Sequence, residues 1–369
     1  MRAGSESWPP RTREEGTGEG ASEREDLITF GVRWPWIVFA FALLLGVLTV
    51  FWHQQSTGPI SGEMERHRAT LEHRTPTPWR YRLLTTWINE GILRGTEALR
   101  VPRHEAVSLL GVRIAQNTAI LWAAYTLYSL LGLGRRASLV ALLLVAWVFS
   151  HSNYFSGLAH NTYTDILAYL IGAILVIRGR LGWLIPLTLV ATLNRETCGF
   201  IPLLGLWRPL AQRRVGWAEN RQAYMTAFFG VMVWAATYAF IRMVLVPSNP
   251  DLESYERAWK PAAPVGWRLL LYHATHINTL YHVTEAVSVL PLLAVLFFRK
   301  APAILQAWCV MLVPVWFIGM SAVAFVAEAR LLAVPVVLVL IPMAMCGIEG
   351  QPAAPPRLAQ EVESPRAAG

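Results

Sequence analysis

Five ionisable residues survive at or near the ends of long apolar runs: Asp165, Arg195, Glu196, Glu328 and Arg330. A positioned carboxylate can take a proton as a general base, and the planar fork of arginine fits phosphate oxygens better than a point charge does. Holding such groups at membrane depth is costly, so each marks a candidate functional position. They can share one site only if the elements carrying them deliver all five to one side of a membrane.

Composition points to those elements. The 369-residue chain is 54% hydrophobic and 15% charged, with a mean hydropathy of +0.39. Apolar runs fall at residues 35–52, 105–132, 137–155, 163–177, 181–207, 223–246, 283–298, 302–326 and 331–347. Several approach the length that crosses about 30 Å of hydrocarbon. The pattern excludes a soluble globular chain and predicts an all-α, polytopic transmembrane helical bundle. The net charge of +8 does not point to nucleic acid, because the basic residues cluster in short segments between apolar runs, as membrane topology requires. Membrane lipid is the expected surrounding, with no nucleic-acid partner. Cys198, Cys309 and Cys346 lie inside or beside apolar runs at wide spacing and write neither a disulfide framework nor a CxxC site. Residues 1–33 and 350–369 are polar or Pro-rich and are expected to be disordered cytoplasmic tails flanking a transmembrane domain at 34–349.

The run at 181–207 decides the topology. Asn194, Arg195, Glu196 and Thr197 interrupt it, so it is either one helix with buried charges or two short segments that turn at the far surface. With a cytoplasmic amino terminus, Arg135 with Arg136, Arg178 with Arg180, and Arg299 with Lys300 face inward. The basic stretch at 208–221 joins them only if residues 181–207 go out and come back. About nine to ten membrane segments follow, two of them short, with both termini inside. Outer segments then fall at 53–104, 155–162, 194–197, 247–282 and 327–330, and all five suspects lie on that face. In the loop at 247–282, Trp267, Leu270, Leu271, Ile277, Leu280 and Tyr281 form an amphipathic stretch suited to a bilayer surface.

Several short elements carry a resemblance. Glu328, Ala329, Arg330, Leu331 and Leu332, followed by Pro335, resemble a Glu-x-Arg-Phe-Leu-x-x-Pro pattern found before the last helix of several mannosyltransferase branches. Trp79 to Leu84 looks like a Tyr-Arg-x-Leu element that follows a long first outer loop, and Asn194 to Thr197 is similar to an Asn-Arg-Glu-Thr element. Together with the topology they resemble the GT-C type of membrane glycosyltransferase. The resemblance implies an isoprenoid-linked sugar donor, a polyprenyl phosphate or pyrophosphate, an extracytoplasmic glycan, lipid or protein acceptor, and a bacterial inner membrane. That family places a catalytic Asp in the first outer loop. This loop holds no Asp and offers Glu63, Glu65, Glu72, Glu90 and Glu97.

Sugar transfer names the roles to be filled. An acceptor hydroxyl must lose its proton as it attacks the anomeric carbon, and Glu63 is the first choice of base, with Glu65 its rival. Direct displacement inverts the anomeric centre, and the departing phosphate needs cations: Arg195 and Arg330, with Arg82 behind them. Simpler readings stand beside these. Glu63 and Glu65 suit a solvated loop, and Glu196 beside Arg195, like Glu328 near Arg330, suits a local ion pair. Thr162 or Thr164 could cap a helix that Asp165 begins, where its charge favours the helix dipole; otherwise Asp165 contacts the donor sugar or a metal. No cofactor is demanded. A divalent metal ion at His273 and His276, with Glu253 or Glu256, is one possibility, and interfacial polar residues are the other. Most of the 16 Trp suit interfacial anchoring, although Trp79 could stack on a sugar. No phosphate-cradling glycine loop is present, which disfavours a cytoplasmic nucleotide-sugar donor. A transporter or lipid flippase, with a broken helix near residue 194, and a non-catalytic membrane assembly protein are the alternatives.

Overall fold

The computed structural model describes residues 33–57, 60–76, 79–152, 158–208, 217–246, 266–324 and 329–349. Among them every regular element is helical. Two compact units divide the chain, residues 1–41 and 42–369. The described part of the first is residues 33–41, the opening turns of helix α1 (Trp34–Thr57). The elements below belong to the second unit.

Two short helices follow α1: α2 (Ile60–Leu71) and α3 (Leu83–Ala98). Then come α4 (His104–Leu130), α5 (Arg135–His151) and α6 (His160–Ile177). Helix α7 (Leu184–Thr192) and the 3₁₀ turns Glu196–Phe200 and Pro202–Leu206 occupy the ambiguous run. Helices α8 (Trp217–Phe240), α9 (Trp267–Thr275), α10 (Ile277–Val287), α11 (Leu290–Leu296) and α12 (Ala303–Val323) lead to α13 (Ala329–Glu349). That last helix opens as a 3₁₀ turn and carries a π stretch at Val336–Leu340.

Six of the described helices are long and apolar enough to cross a membrane, and a seventh span arises if the pair α10 and α11, bent by 61°, counts as one. The expected nine to ten segments are thus reached only by including shorter pieces. Helix α5 has 17 residues and α7 has nine, fewer than the roughly 20 of a normal crossing. Buried share identifies the centre of the bundle: 94% of the apolar window of α13 is covered, against 11% for the span Asn220–Leu245. Helix α13 is therefore the axial helix, and its first turn carries Arg330 into the interior.

The chain reverses direction at residues 193–195, as the charge pattern predicts. A Cβ built on Gly205 would sit 3.3 Å from Leu184 and 3.4 Å from Leu181, which places the end of the run against its beginning. Gly172 of α6 and Gly230 of α8 press on this hairpin. A Cβ on Gly172 would meet Ile201 at 3.2 Å, and one on Gly230 would meet Pro202 at 2.4 Å. Small residues at such contacts let helices approach closely without a hydrophobic driving force from water.

Of the amphipathic stretch, Trp267, Leu271, Ile277, Leu280 and Tyr281 are exposed, and Leu270 is partly covered. His273 and His276 do not share one helix. Helix α9 stops at Thr275, and His276 takes the extended conformation, φ −90° and ψ 110°, that separates it from α10.

Candidate functional site

The site starts at α2. On one face Met64 packs with Leu109 of α4 and Leu158, and this small core fixes the helix rotation. Glu63, one residue earlier, turns toward a cavity of about 380 Å³ bounded by α2, Thr75, Pro76, Trp79 and Arg82, α3, the start of α6 and Arg330. The volume lies in the range of small-molecule sites, roughly 300–1,000 Å³. Glu65 points away and is exposed, so the cavity separates the two rival carboxylates.

The Glu63 side chain is 11% exposed and pairs with Arg66 Nη2 at 2.7 Å. Burial pushes its carboxyl above the usual carboxylate range, while Arg66, the Leu158 amide and Arg330 pull the other way. A carboxylate made more basic in this manner is better matched to proton abstraction near neutral pH. On the same cavity, besides the exposed Arg66, lie two buried guanidinium groups, Arg82 and Arg330. Burial and the neighbouring Arg195 draw Arg82 down to about 9, so it still carries its charge at neutral pH. Trp79 also faces the cavity, its ring centroid 5.9 Å from the Arg82 guanidinium.

Helix α3 and the hairpin turn hold Arg82 in place. The amides of Leu83 and Leu84 both donate to the Leu193 carbonyl, at 2.8 and 3.0 Å. Thr85 Oγ1 donates to Asn194 Oδ1 at 3.1 Å, and Asn194 Nδ2 donates to the Asn161 carbonyl at 2.6 Å. Arg82 faces Glu196 at 3.6 Å, and the Glu196 carbonyl accepts from Trp234 Nε1 at 2.9 Å. The Arg330 amide donates to the Ser152 carbonyl at 3.0 Å, and Trp316 Nε1 donates to the Leu331 carbonyl at 2.7 Å. Each arginine is thus carried on backbone that is itself tied down.

The remaining suspects fall behind this wall. Asp165 does not begin a helix: α6 starts at His160, with Ala159 before it at φ 50°. The polar residues His160 to Thr164 hide this early start from an apolar-run reading, so the capping expectation for Asp165 is corrected. Asp165 is fully buried within α6 and accepts from Thr197 Oγ1 at 2.9 Å and Cys198 Sγ at 2.8 Å, with Arg195 Nη1 at 3.5 Å. Asp165, Arg195 and Glu196 do not line the cavity. Arg195 pairs with Asp165, and Glu196 with Arg82, so the expected local pair of Arg195 and Glu196 is exchanged for two pairs that join distant elements. Glu328 lies outside the described residues.

Glu90 is engaged elsewhere, its carboxyl held below the usual range by hydrogen bonds from His67 at 3.0 Å and Arg94 at 2.6 Å. His273 Nε2 sits 3.0 Å from the Ala324 carbonyl, and His276 stacks on Tyr272 with ring centroids 4.1 Å apart. Glu253 and Glu256 lie outside the described residues, within which no group of three His, Cys, Asp or Glu is placed to hold a metal ion. Sequence reasoning missed Asn89 and His160 on the cavity wall, neither of which belongs to a recognisable motif. It also missed Arg113, which is fully buried in α4 and donates to Asn117 Oδ1 at 2.6 Å while its guanidinium lies over the Tyr163 ring.

The fold and the site together define a helical chain fit for a membrane, with one basic carboxylate and two buried cations around a ligand-sized cavity. Comparison with protein-family models, curated proteins and solved structures found no match to this chain.

Proposed function

We propose that this chain is an integral membrane glycosyltransferase of the GT-C type. It moves a sugar from a polyprenyl-phosphate donor to an extracytoplasmic acceptor by an inverting single displacement. The observation that carries the reading is the convergence of Glu63, Arg82 and Arg330 on one cavity from parts of the chain as far apart in sequence as positions 63 and 330. The Glu63 carboxylate and the two buried cations there match the two charge changes of the reaction. The acceptor O–H proton passes to the Glu63 carboxylate as the oxygen bonds to the anomeric carbon. The bond from that carbon to the phosphate oxygen breaks, and the phosphate leaves with the electron pair toward Arg82 and Arg330.

The six apolar helices support placement in a membrane, the basic segments between them favour both termini on the cytoplasmic side, and the GT-C resemblance implies the inner membrane of a bacterium. The transporter reading is less well supported, because the charges of the hairpin turn, Arg195 and Glu196, are taken up by Asp165 and Arg82 and do not line the cavity. The test is transfer of radiolabel by purified protein in lipid, from polyprenyl-phosphate sugars to crude membrane acceptors. Wild type should transfer label while Glu63→Gln and Arg330→Ala should not; equal transfer by both variants would sink the assignment.

A further inference from the structure

The cavity has a second kind of wall. His160, the first residue of α6, lines it and packs against a side-chain amide whose orientation is fixed. Gln116 Nε2 donates to Thr164 Oγ1 at 2.8 Å and to the His160 carbonyl at 3.2 Å. The Thr164 hydroxyl proton is already directed to the His160 carbonyl, at 3.1 Å, so toward Gln116 Thr164 acts only as an acceptor. The amide nitrogen therefore faces the helix start and Gln116 Oε1 faces His160 Nδ1, 3.4 Å away. An oxygen in that place requires Nδ1 to carry the ring proton, and in the uncharged ring Nε2 is left with its lone pair.

That Nε2 is buried and meets no hydrogen-bond partner among the described residues. Asn89 Oδ1 and Thr75 Oγ1, on the same cavity, are buried in the same condition. The lone pairs of His160 Nε2 and Asn89 Oδ1 repel phosphate and attract hydroxyl protons, and the Thr75 hydroxyl can donate or accept, so this wall suits the opposite end of a ligand from the one the arginines suit. Asn89 lies seven residues along α3 from Arg82, a rise of roughly 10 Å at 1.5 Å per residue. The separation leaves room for a pyranose ring beyond its phosphate.

On the transferase reading above, we infer that His160 is a sugar-binding residue: its Nε2 accepts a hydrogen bond from a hydroxyl of the transferred sugar while Arg82 and Arg330 take the phosphate. The test is calorimetric titration of the full-length protein in lipid nanodiscs with a panel of hexose 1-phosphates and with inorganic phosphate. Wild type should bind at least one hexose 1-phosphate more tightly than inorganic phosphate. His160→Phe should weaken that ligand about tenfold, the scale of one hydrogen bond left unmade, with inorganic phosphate unchanged. His160→Gln, which keeps an acceptor, should recover most of the loss, and Arg330→Ala should weaken both ligands.

A series of deoxy analogues of the same hexose phosphate provides a measurement on wild type that needs no variant to fold. One analogue should lose the same factor of about ten, with no added loss in His160→Phe. Full hexose phosphate affinity in His160→Phe, or a deoxy series with no weakened member, overturns the inference and leaves the transferase reading in place. Absence of any binding by wild type, inorganic phosphate included, overturns both.

Discussion

Glu63 and Glu65 sit two residues apart and have the same chemistry, and only their surroundings separate them. Met64 anchors the helix between them, so Glu63 faces the cavity and Glu65 faces out. Glu63→Gln should therefore lower the transfer rate by 10²-fold or more, the scale of a lost general base, whereas Glu65→Gln should stay within a few-fold of wild type in the same assay. The pH profile adds an independent check. A base works only when deprotonated, and burial raises the pH at which Glu63 loses its proton. The acidic limb of kcat/KM should therefore lie above the ordinary glutamate range. Arg66 opposes that rise, so Arg66→Ala should move the limb further toward alkaline pH; a shift toward acid would contradict the assignment.

At the level of elements, the hairpin turn is held by an ion pair out of contact with water. Asp165→Asn leaves the Arg195 guanidinium buried without its counter-charge and should destabilise the fold by about 3–5 kcal/mol, measured by reversible unfolding in mixed micelles. Replacing both partners, Asp165→Leu with Arg195→Met, should recover much of that loss, because no uncompensated charge remains. Gly230→Ala tests the packing side of the same element. Its new methyl would meet Pro202 at 2.4 Å and should cost about 1–3 kcal/mol. The existence of the turn was legible from Asn194 to Thr197 and from the position of the basic segments. The identity of the pairs was not, because Arg82 with Glu196 and Asp165 with Arg195 join positions that no local spacing relates. His160 was illegible for the same reason: its role depends on Gln116 and on a cavity that exists only after α2, α3 and α6 have met.

The whole molecule should place its cavity on the outer side of the membrane. Single cysteines introduced at Glu65 and Arg136, both exposed, report the two sides in a background where Cys198 and Cys346 are buried and Cys309 is half-covered. A membrane-impermeant maleimide added to intact cells should label Glu65→Cys and leave Arg136→Cys unlabelled until the cells are opened; the reverse pattern would invert the topology and move the cavity to the cytoplasm. A different kind of signal comes from the Leu193 carbonyl, which receives the amides of both Leu83 and Leu84. Those two amide protons, at the start of α3 beside the cavity residue Arg82, can exchange with deuterated water only when the hairpin turn lets go of them. Their exchange rates thus time the loosening of a turn on a separate stretch of chain, and Asp165→Asn should quicken both together.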